Sequence, residues 1–301
     1  MKILLCVAGM PYAEAAVSFG GLIARITQSL VTLLHVAPRL PSFPPQVGGD
    51  EEEATGEKVL ARAREMLVSA NHLSVDTRLR HGDPTATILA EAQEGDYDLI
   101  VMGARKEVGL TQRLLGSVAQ AVVRRALTSV PVVKPAKPEP RPEPCPERRS
   151  AYGRRAVEGL KRILICTGGL DVANPVIESG AQLAGTACAQ ATLPYVTSPT
   201  ASMYAGLEVE DTLPRLLGTD TPVARHLRHG TETLARRQVA AELRLRHGIV
   251  ADEILCETRR GNYGLVVIGT SGAAGRLRAW LLGNVTRQVV EHASCSVLVV
   301  K

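Results

Sequence analysis

Two glycine-containing segments carry residue types that bind anions. In the first segment the candidate ligand contacts are Gly103, Arg105, Lys106, Gly109, Gly116, Ser117 and Val118. In the second segment they are Gly269, Gly272, Gly283 and Asn284. Backbone amides in such loops and at helix N-termini bind phosphate, and Ser117 and Asn284 are residue types that cap helices. Both segments therefore predict a phosphate site, although neither has a Walker or GxGxxG pattern.

Catalytic and metal-binding residue types do not form a recognisable pattern in the sequence. There is no Ser-His-Asp order, no paired carboxylate set and no CxxC among the six cysteines. His226 and His229 are three residues apart, but no third ligand has the spacing of a metal site, so we interpret them as surface histidines. Cys6 and Cys166 lie in equivalent apolar segments and are expected to be buried thiols. We therefore predict no catalytic residue and no metal ligand.

The sequence contains an internal repeat. Arg78-Leu79-Arg80-His81-Gly82 recurs as Arg244-Leu245-Arg246-His247-Gly248, at an offset of 166 residues. The same offset pairs further residues: Glu91 with Glu257 and Tyr97 with Tyr263. A tract of alternating proline and charge separates the copies and is typical of an extended spacer. We therefore predict domains at 1–136 and 159–301, joined by a Pro/Arg-rich linker at 137–158.

The order of apolar and helical segments predicts the fold class. In each copy, short apolar runs alternate with helical patterns in the order βαβαβαβαβ. Apolar strands separated by helices indicate a parallel, doubly wound sheet that is covered on both faces. In such sheets the ligand crevice lies outside the carboxyl ends of the strands, where the strand order reverses. The ends of strands one, two and four, including Val36, are therefore the places to look for ligand contacts.

Several of these segments resemble the universal stress protein family. They are the first strand, the Gly82-Asp83-Pro84 helix start, Asp98-Leu99-Ile100-Val101-Met102-Gly103, and Gly116-Ser117-Val118. The resemblance covers nearly the whole chain, twice. It implies an α/β fold with two tandem Rossmann-like (adenine nucleotide alpha hydrolase-like) domains, each a five-stranded parallel sheet sandwiched by helices. It also implies an adenine nucleotide, ATP, as the ligand, with Mg²⁺ only if ATP binds.

Both copies depart from the ATP-binding pattern of that family, which is glycine, two residues, glycine, nine residues, then glycine with Ser or Thr. In copy one Lys106 replaces the second glycine, although loop length and the charge of Arg105 and Lys106 favour this copy slightly. In copy two ten residues precede the last glycine, and Asn284 replaces the hydroxyl residue. The family's strand-one aspartate is Ala8 in copy one and Gly168 in copy two. We expect degenerate sites, and the sequence is compatible with crevices that bind nucleotide and with crevices that are empty.

Composition narrows the function classes. The chain is 45% hydrophobic and 22% charged with a net charge of +5, but its 3% aromatic content offers little to stack on bases, which disfavours nucleic acid as a partner. No apolar run reaches the roughly 18 residues of a membrane span, and the N-terminal run is too short for a secretory signal. We therefore expect a cytoplasmic stress-response protein with a non-catalytic signalling or protective role. The alternatives are a slow ATP hydrolase or phosphotransferase, and a nucleotide-free scaffold that binds another small molecule.

The resemblance also implies how the copies assemble, because family members pair through their last strands. The matching segments here are residues 130–134 and 297–301. Each would be an exposed apolar edge on its own, so pairing within the chain would remove an aggregation risk. We predict an intramolecular pseudo-dimer, and a homodimer of chains is compatible with it; the sequence does not identify a protein partner.

A fragment that ends at Lys134 tests this assembly, because it keeps the last strand of copy one and lacks the strand predicted to cover it. We expect the fragment to dimerise and the full chain to need no second chain to cover that edge. Light scattering after size-exclusion chromatography measures both masses. A fragment that stays monomeric at all concentrations would contradict the predicted edge pairing.

Overall fold

The computed structural model describes residues 1–9, 13–38, 49–71, 73–104, 115–135, 160–168, 173–197, 212–270 and 282–301. The chain divides into two compact units, Met1–Glu158 and Gly159–Lys301. Each unit contains a five-stranded parallel sheet with helices between the strands. The fold class predicted from the sequence is therefore confirmed.

Unit 1 has the strand order β3-β2-β1-β4-β5. Its strands are β1 (Lys2–Cys6), β2 (Leu30–Ala37), β3 (Val75–His81), β4 (Leu99–Gly103) and β5 (Val130–Val133). Its described helices are α1 (Glu14–Thr27), α2 (Gly49–Asn71), α3 (Pro84–Glu94) and α4 (Ser117–Arg125). The order places β1 between β2 and β4, so the chain reverses its direction of travel across the sheet after β3.

Unit 2 repeats this topology with the order β10-β9-β6-β7-β8. Its strands are β6 (Arg162–Cys166), β7 (Gln190–Thr197), β8 (Ala241–His247), β9 (Leu265–Gly269) and β10 (Ser296–Val300). Its described helices are α5 (Asn174–Thr186), α6 (Leu213–Leu217), α7 (Pro222–Arg236), α8 (Val250–Arg260) and α9 (Asn284–His292). Between its second and third strands unit 2 has the two helices α6 and α7, where the described residues of unit 1 form the single helix α2. None of the described helices combines the length and the apolar character that crossing a bilayer requires.

The two central strands are apolar because helices cover both of their faces. Three consecutive residues of β1 and three of β6 have no exposed surface: Ile3, Leu4, Leu5, Ile163, Leu164 and Ile165. Helix α1 approaches β1 so closely that a Cβ on Gly20 would lie 2.5 Å from Cδ1 of Leu5. At Gly180 of α5 the corresponding distance to Ile165 is 2.6 Å. The first helix of each unit is therefore fixed against the first strand by a glycine contact.

A buried carboxylate links the third strand of each unit to the following helix. In unit 1, Glu91 on α3 is 4% exposed and accepts hydrogen bonds from Arg78 and, at 3.1 Å, from Nε of Arg80 on β3. In unit 2, Glu257 on α8 is 1% exposed and accepts from Arg244 and, at 2.6 Å, from Nη2 of Arg246. We call each set of three residues the Arg–Glu–Arg cluster. It gives the repeated Arg-Leu-Arg and Glu positions a structural role, since a buried carboxylate needs paired charges.

In unit 2 a tyrosine extends the cluster. The hydroxyl of Tyr263 donates to Oε1 of Glu257 at 2.8 Å. Burial alone would raise the pKa of Glu257, but the hydrogen bonds from Tyr263 and Arg246 and the charge of Arg244 outweigh burial and hold that pKa below its ordinary value. Burial and the bond to Glu257 raise the pKa of Tyr263 to about 12. The carboxylate is therefore ionised and the phenol neutral at neutral pH.

The helix that follows the third strand begins differently in the two units. A glycine with positive φ precedes it in both, Gly82 at +142° and Gly248 at +148°. In unit 1, Asp83 is the N-cap residue and its side chain accepts from the amide of Ala86 at 2.7 Å. In unit 2, Ile249 is the N-cap residue, 66% exposed and without a side-chain cap. Unit 2 therefore lacks a stabilising cap at this helix.

Substitution at the two N-cap positions should have opposite effects on stability. We expect Asp83→Ala to lower the free energy of unfolding by about 1 kcal/mol and Ile249→Asp to raise it by a similar amount, because only an acceptor side chain satisfies a first-turn amide. Urea unfolding followed by far-UV circular dichroism measures both. If Ile249→Asp left the midpoint unchanged or lowered it, the cap assignment would be wrong.

The lowered pKa of Glu257 predicts a pH-dependent contribution to stability. Its carboxyl loses its proton more readily in the folded chain than in the unfolded chain, so the stabilisation is complete above the unfolded pKa and is lost as pH falls through the folded pKa. We expect Glu257→Gln to unfold at a clearly lower urea concentration at pH 7, a loss of about 3 kcal/mol, because Arg244 and Arg246 lose the buried carboxylate they share, although Arg244 keeps its pair with Glu242. The difference between variant and wild type should shrink at pH 3.5. The exposed Asp252→Asn on the same helix is the control, and an equal effect in both variants would contradict the assignment.

Candidate functional site

The candidate site of unit 1 lies at the carboxyl edge of its sheet. β1 pairs in parallel with β2 on one side and with β4 on the other, so the strand order reverses between β1 and β4. Gly103 is the last residue of β4, and exposed Ala8 lies two residues beyond the end of β1. Val36 is half-buried near the end of β2. The structure therefore places these three predicted ligand contacts at ends of neighbouring strands.

The helices α4 and α9, which follow the two glycine-containing segments, each have a glycine as the N-cap residue. Gly116 is the N-cap residue of α4, with φ −60° and ψ 149°, and Gly283 is the N-cap residue of α9, with φ −58° and ψ 149°. Neither helix has a side-chain cap. The prediction that Ser117 and Asn284 cap these helices is therefore wrong, since each is the first residue inside its helix. Glycine has no side chain to accept from the first-turn amides, so no side chain at the cap position competes with an anion for them.

The site of unit 2 repeats this arrangement. Gly269 is the last residue of β9, and exposed Gly168 lies two residues beyond the end of β6. The side chain of Asn284 accepts from Nη2 of Arg287 at 3.3 Å, within its own helix. In both units the strand-four glycine and the N-cap glycine therefore flank the segment predicted to bind phosphate.

The predicted ligand contacts near α4 and α9 are only partly described. Arg105, Lys106, Gly109 and Gly272 lie outside the described residues. Val118 is half-buried in the first turn of α4, next to exposed Ser117. The first-turn residues of α4 are therefore described, whereas the loop that leads to them is not.

The described residues do not crowd the end of the first strand in either unit. A Cβ added to Gly168 would meet no atom within 4 Å among the described residues, and the same holds for Gly9, next to Ala8. At Gly269, by contrast, a Cβ would lie 3.1 Å from Cγ2 of Val176 on α5. The fourth strand of unit 2 therefore ends in close packing, whereas the described residues leave the positions after the first strands without close neighbours.

The structure identifies two polar side chains at these strand ends that the sequence analysis missed. In unit 1, Nδ1 of buried His35 on β2 donates to the carbonyl of Val7 at 2.7 Å. In unit 2, the hydroxyl of Thr286 on α9 donates to the carbonyl of Gly269 at 2.6 Å. A histidine within an apolar strand could have been predicted to be buried and hydrogen-bonded. Thr286 gave no such signal, because its counterpart in copy one is Ala119.

The histidines and cysteines do not supply a reactive centre among the described residues. The interpretation of His226 as a surface residue is wrong, because it is fully buried on α7. Burial raises the pKa of the Cys6 thiol to about 12 and also raises that of Cys166, so both remain protonated thiols. No group of three or more metal-ligating side chains converges in the part of the chain that the structure describes.

The sequence model for the universal stress protein family matches residues 1–134 and 159–301. The chain belongs to the universal stress protein family. This confirms the resemblance drawn from the first strand, the Gly-Asp-Pro helix start and the Gly116-Ser117-Val118 segment. Both units carry the family's domain, one match in each.

Known universal stress proteins match the chain at modest identity. One from Methanocaldococcus jannaschii is 36% identical over 84 residues, 28% of this chain and 49% of that protein. YxiE of Bacillus subtilis is 25% identical over 146 residues, 44% of this chain and 98% of that protein. The match therefore spans about half the length of the archaeal relative and nearly all of the bacterial one.

A solved structure shares the fold of the whole chain. The crystal structure of a universal stress protein from Archaeoglobus fulgidus superposes with a TM-score of 0.71 and 16% identity, covering 100% of this chain and 98% of that chain. At this identity the likeness concerns the fold alone. It extends over both units.

Proposed function

We propose that each unit binds an adenine nucleotide, ATP, at the carboxyl edge of its sheet, and that the chain is a non-catalytic, nucleotide-responsive stress protein of the cytoplasm. The observation that carries the proposal is the pair of helices, α4 and α9, that begin at a glycine cap next to the end of the fourth strand. This geometry recurs in both units although the surrounding loop sequences differ.

The start of each helix supplies the phosphate site. The first-turn amides have no partner within their own helix, and the helix dipole adds partial positive charge at the same end. Both helices have nine residues, and neither carries an acidic residue in its first turn that would repel an anion. In α4 the exposed hydroxyl of Ser117 adds a further donor, which α9 replaces with Asn284.

The nucleoside would occupy the space beyond the first strand. No described atom lies within 4 Å of a Cβ added at Gly9 or Gly168, and Val36 offers an apolar contact at the end of β2. In nucleotide-binding family members an aspartate at this strand end contacts the nucleotide, and Ala8 and Gly168 lack that carboxylate. We therefore expect weaker binding than in relatives that retain the aspartate.

The residues at the strand ends favour binding over catalysis. Hydrolysis of ATP needs a side chain that positions water, and usually an acidic group that holds a metal ion near the phosphates. Ala8 and Gly168 provide neither group, so we infer that Mg²⁺ would enter with the phosphates of ATP. A protein partner would then distinguish the nucleotide-bound chain from the nucleotide-free chain. A nucleotide-free scaffold is the outcome if the missing carboxylates have abolished binding.

Restoring the carboxylate should strengthen binding. We expect the wild-type chain to bind ATP, and Ala8→Asp to tighten the site of unit 1 about tenfold through a charge-assisted hydrogen bond. Isothermal titration calorimetry of the full chain, with and without Mg²⁺, measures affinity and stoichiometry.

The matched control is Gly9→Asp, which introduces the same charge into neighbouring open space. Equal gains in Ala8→Asp and Gly9→Asp would contradict the assigned contact. A chain that binds neither ATP nor ADP, in wild-type or Ala8→Asp form, would overturn the proposed function in favour of the scaffold. Release of phosphate from ATP by the wild type would overturn its non-catalytic part.

A further inference from the structure

We propose that Thr286 is a positioning residue that fixes the start of α9 against the end of β9 and makes unit 2 the tighter of the two nucleotide sites. The inference rests on the proposed function, because it concerns the same helix N-termini. It goes beyond that function by ranking two units that share one topology. The ranking runs against the loop length in the sequence, which favours unit 1.

Two hydrogen bonds hold the start of α9. The hydroxyl of Thr286 donates to the carbonyl of Gly269 at 2.6 Å, and the amide of Gly283 donates to the carbonyl of Thr270 at 2.7 Å. Thr286 is 4% exposed, so solvent does not compete for its hydroxyl. The N-cap residue and the first turn are thereby each bonded to the residues where the strand ends.

The described residues of unit 1 form neither bond. The residue equivalent to Thr286 is Ala119, which is buried in the first turn of α4 and has no hydroxyl. Within the described residues, no hydrogen bond joins Gly116 to Ala104, the pair equivalent to Gly283 and Thr270. The start of α4 is therefore positioned without the two bonds that hold α9.

This difference bears on affinity because an anion site is strongest when its donors are already oriented. Amides that are held in place bind phosphate without a further ordering cost, whereas amides that move must lose that freedom on binding. The hydroxyl of Thr286 bonds the strand rather than a carbonyl of its own helix. It therefore constrains the helix relative to the sheet, and its amide stays available in the first turn.

The test uses the full chain and follows the amides of Val118 and Val285 in ¹H–¹⁵N correlation spectra during titration with ATP. We expect the Val285 amide to report the tighter site. Thr286→Val, which keeps the shape and removes the hydroxyl, should weaken that site about fivefold, the usual worth of one hydrogen bond. Thr286→Ser should restore the affinity, and Ala119→Ser should tighten the site in unit 1.

A readout without ligand separates positioning from general stability. Exchange of the Gly283 amide with deuterium should be faster in Thr286→Val than in the wild type, while amides of β6 exchange at unchanged rates. If Thr286→Val fails to fold, Ala119→Ser carries the test, and an unchanged site in unit 1 would overturn the inference. Binding with equal affinity in both units, or with Thr286→Val unaffected, would overturn it while leaving the proposed function intact. A wild-type chain that binds no ATP would overturn the proposed function itself.

Discussion

The parallel pairing of β1 with β4, and of β6 with β9, decides where either unit can hold a ligand. The register aligns Leu5 with Val101 and Cys166 with Ile268, so the carboxyl ends of the paired strands lie at the same edge of the sheet. In parallel sheets of this kind a ligand crevice lies outside the strand ends at the point where the strand order reverses, which here is between β1 and β4 and between β6 and β9. This pairing in turn depends on central strands that are apolar on both faces. The chemistry at the edge and the packing of the core are therefore consequences of one constraint.

Much of the fold could be predicted because its signals are local. Apolar runs and helical patterns each occupy a few neighbouring residues, and the repeat shows that the same order of elements occurs twice. The caps could not be assigned in the same way. Glycine and serine both favour helix starts, and whether Gly116 or Ser117 lies at the cap depends on their backbone angles, which residue type alone does not determine. Periodicity could have placed His226 inside, since it precedes buried Gly230 and Leu234 at intervals of four along α7.

The strongest repeat in the sequence is structural, whereas several candidate-site positions differ between the two copies. Residues of the Arg–Glu–Arg cluster are separated by a turn and a helix, so their contact became evident only in three dimensions. Both units retain the cluster because a buried carboxylate without its arginines would be costly. The residues after the first strand bear no such constraint, and they differ between the copies, Ala8 in one and Gly168 in the other. The residues that are identical in the two copies therefore reflect the requirements of the fold more than those of the candidate site.

The turns that follow helices also keep the same backbone conformation in the two units. Gln28 and Cys188 occupy equivalent turns and share a left-handed φ of 51°, and Asp96 and Asn262 share one of 49°. Non-glycine residues pay a steric cost in that region, which asparagine and aspartate bear most easily. At the first pair the side chains have changed completely while the backbone path has not. The two halves thus preserve a common route for the chain, along which side chains have been exchanged without redirecting it.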